Sequence, residues 1–243
     1  MFQTAPSART RRPAVRLQWV SLLVLSVGAF GCGESVVDAP PNRVVFENEM
    51  FRILDVNLPP GTTLAEHAHE YDLATIVMSE GGQARSQDSG EDWSEAASPA
   101  LGSVSTAEYT GRPGAHRVQN MSEVPYLLFG IENLRDGGWA TPAPLSGRGT
   151  TLAAESRAFG VYDVRLAEQT FQVSHTHDVP AVAVMVRGRS ISQGPELPEG
   201  SDLPAGVKQL DAPGQWVYVP PGEPHYVVRL GVDPLYIVEI ELR

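Results

Sequence analysis

The chain has 243 residues, enough for one or two domains, and its 42% hydrophobic and 19% charged side chains are the proportions of a globular protein. Its net charge is −11, and the first 31 residues hold four of the 18 basic side chains and none of the 29 acidic ones, so the remainder is more acidic still. That balance, with Lys208 as the one lysine, excludes a nucleic-acid partner, which needs cations against phosphates; the one cysteine excludes an intramolecular disulfide, so core packing alone must hold the fold.

In chain order, Arg9, Arg11, Arg12 and Arg16 come first, ahead of an apolar run from Leu17 to Phe30 that is short for a membrane span. Cys32 follows Gly31 at the end of that run. The segment resembles a bacterial lipoprotein signal. That resemblance implies a signal peptide over residues 1–31, cleavage before Cys32, and lipid on its thiol. The protein is then expected to be exported and held at the cell envelope by that anchor, facing the periplasm or the cell surface. Thr10-Arg11-Arg12 leaves twin-arginine export open beside the general route. Residues 32–42, with Pro40 and Pro41, read as a tether.

Two units follow, 43–136 and 152–243, joined by a linker over 137–151 that holds Gly137, Gly138, Pro142, Pro144, Gly147 and Gly149. They are copies of one another. Phe51-Arg-Ile-Leu-Asp-Val-Asn-Leu58 matches Phe159-Gly-Val-Tyr-Asp-Val-Arg-Leu166 at an offset of 108, and Pro125-Tyr-Leu-Leu-Phe-Gly-Ile-Glu132 matches Pro234-Leu-Tyr-Ile-Val-Glu-Ile-Glu241 at 109. That period is the length of a small domain.

Within each unit, strands are expected at Val44–Phe46, Phe51–Leu58, Ala74–Met78 and Tyr126–Ile131, then at Val161–Leu166, Ala181–Val186, Trp216–Val219 and Leu235–Leu242. Each is short and rich in β-branched, aromatic or aliphatic residues, and turn clusters such as Pro59-Pro60-Gly61 and Pro220-Pro221-Gly222 separate them. Gln83–Ser98, with its acids, reads as a surface loop; Gln193–Gln209 holds the same place in the second copy. Many short strands with frequent turns predict an all-β sandwich or barrel in each unit.

All six histidines fall into two copies of one spacing: His67-x-His69 with His116, and His175-x-His177 with His225. Side chains at i and i+2 of a strand share a face, so each H-x-H pair aims two imidazoles into one space, and the third closes a facial set of three nitrogen ligands. Imidazole suits Fe, Zn, Ni, Cu and, with less preference, Mn. Three neutral ligands leave positions open for water, a substrate carboxylate or an enolate.

At these residues the chain resembles the cupin superfamily. Gly214-x5-Pro220-x-Gly222-x2-His225 matches the second cupin motif, and Gly61-x5-His67-x-His69 and His175-x-His177 match the opening of the first. Gly111-Arg112-Pro113-Gly114-Ala115-His116 is a degraded second motif that keeps Asn120 four residues on. The resemblance spans both units and implies a bicupin: two tandem cupin-type jelly-roll β-barrels, each with a divalent metal ion at its mouth.

The glutamate that most metal-binding cupins carry four or five residues after the second histidine is missing. Leu73 and Ala74, and Ala181 and Val182, stand there. Three readings follow: a three-histidine centre, a site completed by a carboxylate from elsewhere such as Asp72, and a metal-free barrel with inherited histidines. Glu70 and Asp178, directly after each pair, are expected to point away unless a bulge returns them. Tyr71, Tyr226 and Trp216 are pocket candidates, with core packing expected of Trp216. Asn120 is expected to brace a turn, and Glu132 and Glu241 recur on the last strand of each copy.

The functional expectation is a metal-dependent enzyme of the dioxygenase, isomerase or lyase type acting on a small oxygen-rich or carboxylate molecule. The alternative is a non-catalytic envelope lipoprotein that captures a small ligand or a metal. A homodimer paired through strand edges is implied only by analogy.

Overall fold

Eighteen strands, with no helix among the described residues, make up the computed structural model, which describes residues 34–39, 41–135, 145, 149–167 and 171–243. The expected signal peptide, Cys32 and most of the expected linker lie outside the described residues. The first half contributes β1 (Glu34–Ser35), β2 (Asn42–Glu47), β3 (Phe51–Leu58), β4 (Thr63–His69), β5 (Asp72–Val77), β6 (Ala84–Asp88), β7 (Val104–Ala107), β8 (Gly114–Asn120) and β9 (Tyr126–Asn133). The second contributes β10 (Thr150–Glu155), β11 (Phe159–Leu166), β12 (His175–Thr176), β13 (Ala181–Arg187), β14 (Ser190–Gln193), β15 (Lys208–Leu210), β16 (Trp216–Val219), β17 (Pro224–Arg229) and β18 (Leu235–Leu242).

Each half builds a five-stranded and a four-stranded sheet. The larger sheets run β2-β3-β9-β5-β7 and β10-β11-β18-β13-β16, and the smaller ones β1-β4-β8-β6 and β12-β17-β14-β15. The order repeats strand for strand apart from β1, which adds in parallel beside His67 and Ala68, and β15. The expected all-β architecture of two jelly-roll barrels is what the chain forms.

Alternation along the long strands explains the packing. In β3 the even-numbered Leu54 and Leu58 face the interior of the first barrel, and Phe51 and Ile53 face the other way. The outward residues are not solvated. Phe51, Ile53, Phe129 and Ile131 form one cluster with Phe159, Val161, Val182, Val184, Val238 and Ile240 of the second half. The two large sheets are thus stacked face to face, so all eight residues of β18 are buried, as expected of a strand covered on both sides. A second cluster, with Val164, Leu166, Met185, Val217 and Ile237, fills the second barrel. The interior of the first is filled more sparsely, by Leu58, Leu64, Val77, Ala84 and Tyr126.

Three details differ from the sequence expectation. Gln83–Ser98 is not all loop: Ala84–Asp88 forms edge strand β6 beside β8, and Ala84 bridges Ala97. A half-solvated edge strand needs no apolar periodicity, so its polar sequence hid it. Glu34–Ser35, expected within a tether, pairs with β4. Strand β10 begins at Thr150, ahead of the expected start of the second unit at Leu152.

Candidate metal centres

In the first barrel β4 and β8 run antiparallel with His67 directly opposite His116. The register between them slips by one residue between Leu64 and His67. This bulge switches the parity of the strand, so that Leu64, His67 and His69 all turn inward and are buried. Gly61, at a φ of 69° in the turn that feeds β4, adopts a backbone conformation costly for other residues. The three rings lie 4.7 to 5.1 Å apart between centroids, and one ligand atom from each falls within 4.8 Å of the others.

The Nδ1 atoms of two of these rings are already engaged. That of His67 lies 2.9 Å from the Ala65 carbonyl in the bulge, and that of His69 lies 3.3 Å from a Glu132 oxygen. With Nδ1–H donating, Nε2 keeps its lone pair for a metal. Glu132 is fully buried, and Arg52 donates to its other oxygen at 2.7 Å. Burial, reinforced by His67 and His69, pushes the His116 imidazole down to about 3, so it is neutral and able to bind at pH 7.

The second barrel repeats this arrangement and adds a ligand. His175 lies opposite His225 across β12 and β17. Glu239, from the middle of β18, places Oε2 3.2 Å from His175 Nε2 and 3.7 Å from His177 Nε2, and Oε1 4.0 Å from His225 Nε2. One ligand atom from each of the four residues falls within 4.8 Å of the others. Gln172 donates to that same Oε1 at 3.1 Å.

Behind the cluster, His177 Nδ1 donates to Glu241 at 3.0 Å, and Glu241 is held by Tyr162 at 3.2 Å and Arg243 at 3.3 Å. Arg243 reaches there because residue 160 is glycine: a Cβ on Gly160 would meet its Nη2 at 2.5 Å. Arg52 occupies that strand position in the first barrel, so the two barrels supply the same cation from different strands.

The electrostatics of the second cluster suit a cation. Burial alone would raise the Glu239 carboxyl, but the three imidazoles around it win and hold it at about 2, hence ionised. Burial lowers His225 to about 4, hence neutral. His177 Nε2 and both nitrogens of His225 are buried without a hydrogen-bond partner. Orphaned polar atoms in a protein interior are costly, and a divalent ion held by His177 Nε2, His225 Nε2 and Glu239 would remove that cost at the two Nε2 atoms. The donor set therefore fits a divalent ion.

All six sequence-predicted histidines are brought together in the two expected sets of three. Glu239 was missed. Its signal is the alternation Val238-Glu239-Ile240-Glu241, which puts two carboxylates on the inner face of a buried strand. Asp72 is not part of either cluster: it accepts from Arg157 and from the backbone N–H groups of Tyr109 and Thr110. Glu70 and Asp178 are exposed; in the first barrel the bulge in β4 precedes the histidine pair and does not follow it. Trp216 packs on Phe46 and Phe51 as core, Tyr71 lies beneath Arg52, and Tyr226 is half-buried opposite Gln193. Asn120 ties Leu58 and Val124 together at a turn.

No known family profile matches the sequence, and no curated protein does. Solved structures do. AerE from Microcystis aeruginosa superposes with a TM-score of 0.60 at 12% identity, over 83% of this chain and 91% of that one. An oxalate decarboxylase variant from Bacillus subtilis gives 0.59 at 14%, over 83% and 72%. A further structure of that decarboxylase, from a study of its Mn(II) centres, gives 0.57 at 14%, over 80% and 69%. At such identities the likeness speaks for the fold alone, and the fold is that of the cupin-type jelly rolls.

Proposed function

We propose that this protein is an exported, envelope-anchored metalloprotein of the cupin type that acts on a small carboxylate or other oxygen-rich molecule. The observation that carries the metal reading is Glu239, a fully buried carboxylate converging with the half-buried imidazole of His175 and the buried imidazoles of His177 and His225, the last two of which present unpartnered nitrogens. Three imidazole nitrogens suit Fe, Zn, Ni or Cu, and the carboxylate oxygen of Glu239 suits Mn(II) as well. The Mn(II) centres of the fold neighbour lend manganese further support. A bound ion of this kind supplies Lewis acidity toward an oxygen donor, and with iron or manganese a route to O2 chemistry of the dioxygenase type beside isomerase or lyase chemistry. His67, His69, His116 and His175, His177, His225 hold the ion, Glu239 neutralises part of its charge, and Glu132 and Glu241 orient the rings from behind.

The basic stretch from Arg9 to Arg16, the apolar run after it and Cys32 support export and lipid anchoring. The alternative reading, non-catalytic capture of a small ligand or a metal, draws on the burial of His177, His225 and Glu239, which leaves the second site little access. The test is elemental mass spectrometry of the full chain, purified without chelator, beside His175→Ala/His177→Ala. Stoichiometric metal that falls by about half in the variant is expected. No metal in the parent protein, even after reconstitution with Fe, Mn, Zn, Ni and Cu, would overturn the reading.

A further inference from the structure

The two barrels are copies, yet the space in front of the imidazoles is built from opposite chemistries. In the second barrel it is polar and filled. Glu239 pairs across the sheet with Tyr162 and Ala183, and Gln172 on the neighbouring strand donates to it. In the first barrel Gly130 holds the position of Glu239, opposite Leu54 and Thr75. Leu54 stands for Tyr162, and Leu64 for Gln172. Glu239 and Gln172, which fill the space beside one site, and Tyr162, which braces Glu241 there, are thus replaced together by a glycine and two leucines at the other.

Gly130 is not demanded by crowding. A Cβ there would sit 3.4 Å from Leu54 and Leu73, an ordinary contact, and its φ is not positive. What the replacement does create is room: a cavity of about 410 Å³, in the size range of small-molecule sites. Leu54, Val56, Leu64, Leu128 and Gly130 line it, and all three imidazoles of the first cluster open onto it. Its charged lining residues, Arg85 and Glu95, are partly or fully exposed at its edge, and Arg52 and Glu132 are spent on one another.

We propose that this cavity binds a small amphiphilic monocarboxylate, whose anionic head completes the coordination that Glu239 completes in the other barrel and whose apolar body lies along the leucines. The inference rests on the reading that His67, His69 and His116 hold a divalent ion. Three neutral imidazoles leave that ion's charge uncompensated, so one carboxylate is attracted; a second carboxylate at the far end of the ligand would lie among the leucines and valines, with Arg85, already held by Gln119, as the one arginine or lysine in the lining, which is costly. The site thus selects against dicarboxylates of the same length, such as adipate, and against neutral molecules of the same apolar length.

The experiment is calorimetric titration of the full-length, metal-loaded protein with hexanoate, adipate and 1-hexanol, with metal content measured on the same samples. Hexanoate is expected to bind at least tenfold more tightly than either of the others. Gly130→Glu, which installs the missing carboxylate, is expected to lose hexanoate by at least tenfold while retaining its metal. Val56→Phe, which fills the cavity with apolar bulk and leaves the imidazoles alone, keeps the test sharp if Gly130→Glu does not fold, and it should weaken hexanoate similarly. Equal binding of the three probes, or undiminished hexanoate binding in both variants, overturns the proposal. Normal metal with no hexanoate preference sinks this inference alone; absence of metal at the first cluster sinks the metal reading there and this inference with it.

Discussion

Glu132 and Glu241 are carboxylates with no exposure at all, and each is tolerable only because a cation and an imidazole meet it. Each fixes which nitrogen of its histidine bears the proton, and that determines which nitrogen is left for a metal. Arg52, Glu132 and His69 form a chain in which the outer pair holds the charge and the inner contact sets the tautomer. Glu132→Gln keeps the shape and removes the charge. It is expected to weaken metal binding at the first cluster by about 10- to 100-fold, the range for groups that orient a ligand from behind. Competition against a chelator of known affinity measures this, with the second cluster as internal reference. Unchanged affinity at the first cluster would make Glu132 a structural partner of Arg52 only.

The large sheets carry a different burden, because both of their faces are buried. Phe51 stacks parallel to Tyr218 at 6.3 Å and meets Trp216 edge-on at 6.0 Å, so a strand of the first barrel is anchored in aromatic rings of the second. Phe51→Ala opens a cavity in that shared layer and is expected to cost about 3–5 kcal/mol. Because the layer belongs to both barrels, urea unfolding followed by fluorescence should stay a single transition shifted to lower denaturant. Two separated transitions would mean that each barrel is held by its own interior. The strands themselves were legible in the sequence, since alternation and turn residues mark them, and so were the six histidines, whose doubled spacing has no local structural cause. Glu239 was not, because it lies far along the chain from the histidines it joins and was read against a motif that places the acid soon after the second one. The bulge before His67 was equally hidden: it is a property of how β4 pairs with β8, and Ala65-Glu66 carries no local mark of it.

At the scale of the whole molecule, the described residues belong to one compact unit, and its two halves are joined by polar contacts as well as by the stacked sheets. Asn133 donates to the Arg243 and Ala158 carbonyls, and Arg157, from the turn before β11, clamps Asp72 at the head of β5 with contacts of 3.0 and 3.1 Å. Asp72 also accepts the backbone N–H groups of Tyr109 and Thr110, at 2.7 and 2.8 Å. Burial alone would raise its pKa, but Arg157 and the two N–H donors together hold it below the usual carboxylate range. An acid whose pKa is depressed on folding stabilises the folded state fully above its unfolded pKa, about 3.9, and loses that contribution as the pH falls through the lower folded value. Asp72→Asn should therefore melt a few degrees below the parent at pH 7, and the gap should narrow as the pH is taken from about 5 toward 3. Taking the difference between the two proteins at each pH cancels the titration of the metal clusters, which both share. Melting curves that stay parallel over that range would mean that the clamp on Asp72 does not hold the two barrels together through its charge.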